Sequence, residues 1–392
     1  GITQIVAWGT TLYALGVLAG PIAADTGWSR SLVFSGLSVG LLVASLVSTT
    51  VGRAIDRYGG RRVMSLGSGV VSIALLLLGL APNAWMYLAA WALLGLGMRM
   101  NLYDAAFAAL VEIAPARGRR AISYLTLFGG FASTVFWPIG HALAADFGWR
   151  STFAIFAALN FLICLPLHWW GLARRESADV SGGAPAPAAD TPSEPERLLT
   201  GRSRTLAMVL FAAVLSACAV AFGALAVHLP ALLQAYGLTA AAAVLLASLK
   251  GVAQVGGRIW ELVWGRNLSA LTVGRIAIGV LPLSFAVLMA GGANFWTALM
   301  FTLLLGISNG LVTIVRGAVP LALFGRQGYG TVLGILATPY LLMTALAPGV
   351  FAVAVDLWDY RTGAAVLLGF AAIAALAMEA MSRWYRAQRG SL

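Results

Sequence analysis

The sequence predicts an all-α membrane protein with twelve transmembrane helices, arranged as two pseudo-symmetric six-helix bundles. Three observations lead to this prediction: an apolar composition, a succession of long apolar segments, and a repeat that relates the two halves of the chain. Of the 392 residues, 60% are apolar and only 10% are charged, against about 25% charged in average proteins. Such a composition excludes a disordered chain, a disulfide scaffold and an ordinary soluble enzyme.

Twelve apolar segments are each long enough to cross a bilayer, which needs about 20 residues of helix. We expect them at residues 2–23, 32–54, 63–81, 85–112, 121–144, 151–171, 204–234, 240–264, 272–291, 295–321, 329–355 and 361–381. We interpret the first as a membrane span and not as a signal peptide, because it lacks a basic n-region. An even number of spans places both termini on the same side of the membrane.

The distribution of arginine predicts which side that is. The loops and tail on the side of the termini carry 18 arginines, whereas the opposite loops carry 3. Positive charge accumulates in cytoplasmic loops, so both termini are expected in the cytoplasm. The same effect accounts for the net charge of +11, which in a soluble domain would suggest nucleic acid. No nucleic-acid partner is therefore predicted.

A polar linker and an internal repeat divide the chain into two halves. Residues 173–203 are rich in Pro, Ala and Ser and lack apolar periodicity, which is typical of a flexible linker. The predicted domains are an N-terminal bundle at 1–172, a C-terminal bundle at 204–382 and a tail at 383–392. Five matches recur at an offset of 210 or 211 residues: Gly27 with Gly237, Gly95 with Gly306, Gly118 with Gly328, Pro138 with Pro348, and Asp146 with Asp356. The repeat predicts two halves related by a two-fold axis along the membrane normal.

The short loop after the second span carries a recognisable motif. Residues 52–62 read GRAIDRYGGRR, which resembles the G-x-x-x-D-R-x-G-R-R signature of the major facilitator superfamily. With twelve spans, a central linker and duplicated halves, the resemblance covers the whole chain. It implies a bacterial inner-membrane secondary transporter that binds its substrate between the two halves and alternates access to it.

Other segments resemble the monocarboxylate and oxalate/formate group within this superfamily. These are DTGWSRS at 25–31, RGRRA at 117–121 and the pair Gly257–Arg258. Carriers of that group typically use a lysine in span 1, whereas the only lysine of this chain, Lys250, lies in span 8.

The resemblance also implies a gating role for the loop motif. Asp56 is expected to contact the start of span 11 and to help close the cytoplasmic face, with Arg57, Arg61 and Arg62 beside it. A carboxylate at a helix N-terminus is stabilised by about 0.3–1 kcal/mol. The alternative is a loop that only sets topology, in which Asp56 offsets the neighbouring arginines.

Ionisable residues inside the spans are the main candidates for a substrate site, because each costs about 2.5–3.5 kcal/mol to insert. They fall in spans 4, 8 and 10, which the resemblance places along or beside the transport pathway. One face of span 8, about 80° wide at 100° per residue, carries Lys250, Gln254, Arg258 and Glu261. This face is predicted to bind an anion. The alternative is a structural ion pair between Lys250 and an acid on another helix.

Further candidates lie on spans 1, 4 and 10. They share helical faces in each span and comprise Gln4, Trp8 and Thr11; Arg99 and Tyr103; and Asn309, Thr313 and Arg316. Asp104 and Glu261 are candidate proton carriers. Because the repeat pairs position 104 with 315, we also expect Asp104 and Arg316 to approach each other, as a gate pair or as substrate contacts.

The leading functional prediction is a secondary transporter of a small organic anion such as a monocarboxylate, with proton coupling as one mode. Four cations against two acids inside the spans favour an anion. The alternatives are efflux of drugs or metabolites by the same fold, and a membrane receptor or scaffold that moves no solute. The sequence shows no Walker loop, catalytic triad or metal cluster, so neither an enzyme nor a cofactor is predicted. The expected partners are a solute and the lipid bilayer, with the chain as a monomer.

Overall fold

A computed structural model of the chain describes residues 1–173, 198–292 and 294–390, without the side chains of residues 389 and 390. Most of the predicted linker lies outside these ranges. Within them the chain forms helices and no strand. The structure therefore confirms the predicted all-α fold class.

The first six predicted spans form nine α-helices. These are α1 (Ile2–Thr10), α2 (Leu15–Thr26), α3 (Arg30–Tyr58), α4 (Gly60–Leu80), α5 (Ala84–Asn101), α6 (Tyr103–Ile113), α7 (Gly118–Gly130), α8 (Ala132–Leu159) and α9 (Leu165–Gly171). The last six form one helix each: α10 (Gly201–Ala235), α11 (Ala240–Val263), α12 (Ala270–Gly291), α13 (Phe295–Phe324), α14 (Tyr329–Leu357) and α15 (Tyr360–Gly390).

Ten helical segments of the described residues are long and apolar enough to cross a membrane. One of them, Pro115–Gly171, has 57 residues, which is about 85 Å of helix and far more than the roughly 30 Å of a bilayer core. It turns at Gly148, whose φ of 78° is non-helical, and so contains both predicted spans 5 and 6. Predicted span 4, which is divided at Leu102 into α5 and α6, is not among the ten. The protein is a multi-pass membrane protein.

Polar side chains cap several spans where they begin after short loops. Ser29, Asn83, Thr239 and Ser269 each accept a hydrogen bond from a backbone N–H two or three residues into the helix, which satisfies a donor that the helix leaves free. Asp359 does the same before α15. The N–H of Thr362 donates to its carboxylate, and this bond holds the pKa of Asp359 below its ordinary value.

Contacts divide the chain into two compact units. The first comprises the described residues of 1–192 together with Arg326–Thr338, and the second comprises those of 193–325 and 339–392. The start of α14 therefore belongs to the first unit, and its remainder belongs to the second. The predicted domain boundaries at residues 172, 204 and 382 stay predictions, and α15 continues as a helix beyond residue 382.

In each unit the second and fourth spans pack closely through glycine. A Cβ at Gly95 in α5 would overlap the carbonyl oxygen of Gly40 in α3. In the second unit, a Cβ at Gly310 in α13 would overlap the carbonyl oxygen of Gln254 in α11. Small residues let two helix backbones approach in this way inside a membrane. The same packing in both units agrees with the repeat in the sequence.

A clasp at the end of α2 ties together three spans of the first unit. The guanidinium of Arg150 donates to the carbonyl oxygens of Gly79 and Ala81, at 3.2 and 3.1 Å. It also lies 3.5 Å from the carboxylate of Asp25, which accepts a hydrogen bond from the indole of Trp149. One side chain thus joins the end of α2, the end of α4 and the start of predicted span 6.

Replacing Arg150 by alanine is expected to destabilise the protein by about 1 kcal/mol. Hydrogen bonds to charged groups contribute about 1.5–3 kcal/mol, and we reduce this because the side chain is 45% exposed. The melting temperature in detergent measures the effect. Arg30→Ala is the control. Arg30 is exposed in the same part of the unit, and its replacement removes the same charge. Equal melting temperatures for the two variants would contradict the assignment.

Candidate functional site

The loop motif brings a carboxylate to the start of α14. Asp56 Oδ1 accepts the backbone N–H of Gly330 at 2.8 Å. Its Oδ2 accepts the backbone N–H and the hydroxyl of Thr331, at 2.7 and 2.6 Å. Gly330 has no side chain, and a Cβ there would lie 2.7 Å from both Asp56 Oδ1 and the carbonyl oxygen of Gly52. The expected contact between Asp56 and the start of span 11 is present, and these glycines make room for it.

A polar face of α3 follows the same segment of α14 for two further turns. Ser45 donates to the carbonyl oxygen of Thr338 at 2.7 Å, and the hydroxyls of Thr49 and Thr338 lie 3.4 Å apart. A Cβ at Gly334 would lie 2.6 Å from the carbonyl oxygen of Ser48. The seam from Asp56 to Ser45 therefore joins the two helices by hydrogen bonds and close backbone contact.

The arginines of the motif take other positions. The Arg57 guanidinium lies 5.2 Å from the ring centroid of Tyr58, and that of Arg61 lies 4.2 Å from the ring of Trp169. Arg62 is exposed. The resemblance places all three beside the gate, and for two of them the structure shows aromatic contacts, which are favourable for guanidinium groups.

The polar face predicted on span 8 lies on one continuous helix, α11. The buried residues of α11 include Ala243, Leu246, Ala253 and Gly257, and all lie within about 60° of Lys250 at 100° per residue. The exposed apolar residues Leu245, Val252, Ile259 and Val263 lie on the opposite side. Lys250 is half-buried and lies on the buried side of α11, which we call its protected face. The exposed apolar residues form the opposite face.

Arg258 and Glu261 lie on the same face, and both are almost fully buried, with 3% and 2% of their surface exposed. Buried ionised groups are stable only with compensating contacts. The Nε of Arg258 has no hydrogen-bond partner among the described residues. Gln254 lies between Lys250 and Arg258 and is partly exposed.

The three candidates on span 10 also share one continuous helix, α13. The hydroxyl of Thr313 donates to the carbonyl oxygen of Asn309 at 2.8 Å, and both side chains are partly exposed. The guanidinium of Arg316 lies 3.9 Å from the ring centroid of Tyr340 in the same unit. The ring face of Tyr340 thus attracts a cation that is only 9% exposed. The expected approach of Asp104 to Arg316 stays a prediction.

The shared face predicted for Arg99 and Tyr103 is wrong, because span 4 is not one helix. Leu102 is extended (φ −77°, ψ −171°) between α5 and α6. Arg99 ends α5, where its Nε donates to the hydroxyl of Ser48 at 2.6 Å. Tyr103 and Asp104 begin α6, so their directions relative to Arg99 differ from those of a continuous helix. Tyr103 donates to the carbonyl oxygen of Thr126.

Span 1 is also divided, and this changes the interpretation of its candidates. Helix α1 ends at Thr10, and α2 begins at Leu15. Gln4 and Thr11 are buried. Gln4 donates to the carbonyl oxygen of Asn101 at 2.8 Å, and Thr11 donates to that of Ala7. The amide of Gln4 thus satisfies a carbonyl oxygen at the break of span 4, and only Trp8 of the predicted face is partly exposed.

Five aromatic rings form a continuous row across spans 1, 4 and 5. Phe107 stacks on Tyr103 with ring centroids 5.5 Å apart, and Tyr103 lies 4.7 Å from Trp8. Tyr13 lies 6.0 Å from Trp8 and 6.4 Å from Trp137. We call these five residues the aromatic row. Tyr13, Phe107 and the row itself were not predicted, since the rings lie on three helices and in the break after α1, and have no common period.

Backbone breaks accompany this row in all three of its spans. Span 1 breaks between α1 and α2, next to Tyr13; span 4 breaks at Leu102, next to Tyr103; and span 5 is divided at Phe131, where α7 ends and α8 begins. Discontinuous helices are typical of substrate and ion sites in secondary transporters. Among the described residues, no cluster of three or more His, Cys, Asp or Glu could hold a metal ion.

The fold defines a polytopic helical membrane protein, and comparisons with known proteins identify its family. The family description "Major Facilitator Superfamily" matches residues 2–289. The chain therefore belongs to the major facilitator superfamily, as the loop motif indicated.

Similar proteins share only part of the chain. An uncharacterised MFS-type transporter of Pseudomonas aeruginosa is 35% identical over 151 residues, which are 37% of this chain and 35% of that protein. The multidrug resistance protein MdtG of Salmonella choleraesuis is 34% identical over 147 residues, or 36% of this chain and 35% of MdtG. The matched segment spans about a third of the length of these relatives.

Solved structures share the whole fold at low sequence identity. The human organic anion transporter MFSD10 has a TM-score of 0.69 at 17% identity, covering 96% of each chain. The transporter FucP in its outward conformation has a TM-score of 0.70 at 12% identity, covering 97% of each chain. These structures establish the fold and no more.

Proposed function

We propose that the chain is a secondary transporter of a small organic anion, working by alternating access in the bacterial inner membrane with both termini in the cytoplasm. The observation that carries this proposal is the position of Lys250 on the protected face of α11, in a helix whose opposite face is apolar and exposed. Membership of the superfamily suggests transport by alternating access, and the charge of Lys250 suggests an anionic substrate.

Lys250 fits a counter-charge for substrate better than a structural ion pair. Among the described residues of its own unit, no acidic side chain lies within ion-pair distance of its ammonium group. Glutamine or serine could occupy the position without the insertion cost of a charge. A lone ammonium group on a protected helix face favours a carboxylate or another anion as its partner.

A screen for thermal stabilisation tests the substrate class. Each small acid is paired with its neutral amide, for example lactate with lactamide, succinate with succinamide and benzoate with benzamide. An acid at 100 times its Kd stabilises the protein by about 2.7 kcal/mol, because it binds only the folded state. We expect at least one acid to raise the melting temperature while its amide does not. Equal effects of every acid and its amide would count against an anion site.

Proton coupling through Asp104 or Glu261 is part of the same proposal. Both acids lie in membrane-spanning segments, Glu261 on the protected face of α11 and Asp104 in the first turn of α6. The resemblance to the monocarboxylate and oxalate/formate group suggests carboxylates as the first substrates to test.

Efflux of drugs or metabolites is the second candidate, because the chain is 34% identical to the multidrug resistance protein MdtG over part of its length. A cavity for cationic drugs is expected to be rich in acids. The protected faces here carry Lys250, Arg258 and Arg316, so export of an anionic or neutral compound is the form of this alternative that fits.

The Asp56 contact is proposed to act as the cytoplasmic gate, and Asp56→Asn tests it. The change removes the charge that three donors stabilise, and it should weaken the contact by about 1 kcal/mol or less. Hydrogen exchange of the Gly330 and Thr331 amides should then accelerate by up to about fivefold. Asp356→Asn, at an exposed position near the other end of α14, is the control for charge. Unchanged exchange at both amides would refute the gate.

The predicted pair of Asp104 and Arg316 is tested by a double-mutant cycle. Removing one partner of a desolvated pair leaves a lone charge, at a cost of about 3–5 kcal/mol. Asp104→Asn alone should therefore reduce transport more than Asp104→Asn combined with Arg316→Gln. Strictly additive losses in the two single variants would show that the residues are uncoupled.

A further inference from the structure

We infer that the aromatic row is a binding surface for a planar aromatic ring, so that the preferred substrates are aromatic or heteroaromatic carboxylates. The inference rests on the proposed transport of organic anions and narrows it to one chemical class. It is carried by three features of the first unit: the series of ring contacts, the buried Trp8 donor that has no acceptor among the described residues, and the exposure of the last ring.

The rings of the row are arranged to receive another ring. Trp8 is tilted by 45° to Tyr103 and by 36° to Tyr13, and Trp137 meets Tyr13 edge to face at 89°. Tilted and edge-to-face arrangements are favourable for aromatic pairs at centroid distances of about 4.5–7 Å. The row therefore presents ring faces and edges in the orientations that a planar ligand would also use.

One end of the row is buried, and the other end is open. Tyr103 and Phe107 are 5% and 0% exposed, whereas Trp137 is 48% exposed. The indole of Trp137 donates to the carbonyl oxygen of Tyr13 at 3.3 Å, which fixes its ring over the break in span 1. A partly exposed ring that is held in place beside buried ones forms a preorganised surface.

A hydrogen-bond donor in the row points to the polar part of the ligand. The Nε1 of Trp8 is buried and has no acceptor among the described residues. A buried donor without a partner costs about 1–3 kcal/mol, so an acceptor supplied by a ligand would remove that cost. A carboxylate or carbonyl oxygen on an aromatic ring supplies the acceptor and the ring together.

The two alternatives for this row fit less well. A wholly apolar ligand would leave the Trp8 donor unsatisfied. A cation would suit the ring faces, but it offers no acceptor to that donor. An aromatic acid satisfies both the rings and the donor of the row.

A matched pair of ligands tests the inference. Benzoate and cyclohexanecarboxylate have the same charge and similar size, and only benzoate is planar and aromatic. Binding to the purified protein is measured by calorimetry at pH 7.5. We expect benzoate to bind about five- to tenfold more tightly, which corresponds to one good aromatic contact.

Two variants of Trp8 separate the ring from the donor. Trp8→Phe keeps a ring without the donor, so it should weaken both acids while keeping the preference for benzoate. Trp8→Leu should reduce the preference to about twofold or less. Val227→Leu, at an exposed position in α10, is the control and should change neither affinity.

The outcomes distinguish this inference from the proposed function. Equal affinity for the two acids in the unmodified protein, or the same preference in Trp8→Leu, would overturn the aromatic site and leave an organic-anion transporter in place. Failure of both acids to bind would also overturn it. If benzoate and benzamide bound with equal affinity, and both bound more tightly to the unmodified protein than to Trp8→Leu, the ring site would stand and the anion proposal would fail.

Discussion

Replacing Lys250 by alanine is expected to abolish transport while leaving the protein folded. Truncating one partner of a buried charge pair costs about 2–5 kcal/mol, so the affinity for an anionic substrate should fall by at least about 30-fold. The melting temperature without substrate should stay nearly unchanged, because in its own unit the ammonium group has no described ion-pair partner to lose. Uptake by proteoliposomes and melting in detergent measure the two effects.

Two further variants make the result specific to the charge. Lys250→Arg keeps the cation and should retain part of the transport. Ser248→Ala changes the exposed side of the same helix, where the serine bonds only within α11, and should transport normally. Full transport by Lys250→Ala would defeat the assignment, and so would a large loss of melting temperature that explains the inactivity.

Gly310→Ala is expected to cause a large loss of stability, because it adds a methyl group where two helices of the second unit pack closely. The new Cβ would overlap the carbonyl oxygen of Gln254, so the backbones of α11 and α13 must separate. Overpacking of this kind costs about 1–3 kcal/mol and occasionally more. Because Gln254 and Lys250 lie on the helix that must move, transport should also fall in the protein that still folds.

Gly256→Ala is the matched control for this prediction. Gly256 lies in α11, and a Cβ there would have no neighbour within 4 Å. Alanine at an open helical position is neutral or favourable, by up to about 1 kcal/mol. Melting curves that show Gly310→Ala to be as stable as Gly256→Ala would contradict the close packing of the two helices.

That the chain consists of many membrane-spanning helices could be predicted from the sequence, because this follows from the number and length of its apolar segments. The face of α11 could also be predicted, because this helix has no break. Between Ala240 and Val263 the helix is continuous, so the spacing of Lys250, Arg258 and Glu261 translates directly into direction. The contact of Asp56 with α14 came from the family motif, which already associates that acid with the start of span 11.

The breaks in spans 1 and 4 could not be predicted, since neither is marked by proline at the break. In span 4 the extended Leu102 releases the carbonyl oxygen of Asn101, and Gln4 supplies the replacement hydrogen bond across 97 residues of sequence. Local propensity contains no information about that distant partner. The error for Arg99 and Tyr103 followed directly, because their directions were calculated for an unbroken helix.

The repeat also relates the positions of Ser48 and Arg258, whose surroundings are seen only in the structure. At the offset of 210 residues, position 48 corresponds to position 258. In the first unit Ser48 accepts a hydrogen bond from Arg99 of the fourth span, and in the second unit the arginine itself occupies that position as Arg258. Each unit thus has a buried arginine on its second or fourth span: Arg99 in the first unit, and Arg258 and Arg316 in the second.

Solute flux is the measurement that tests the central proposal most directly. Proteoliposomes of the intact protein, of Lys250→Ala and of no protein are compared for uptake of labelled lactate, succinate and benzoate, with an imposed proton gradient and without one. We expect at least one of these acids to enter faster with the intact protein than in both controls, which correct for passive leak. Uptake of all three acids at the rate of protein-free liposomes, or at equal rates with the intact protein and Lys250→Ala, would contradict it.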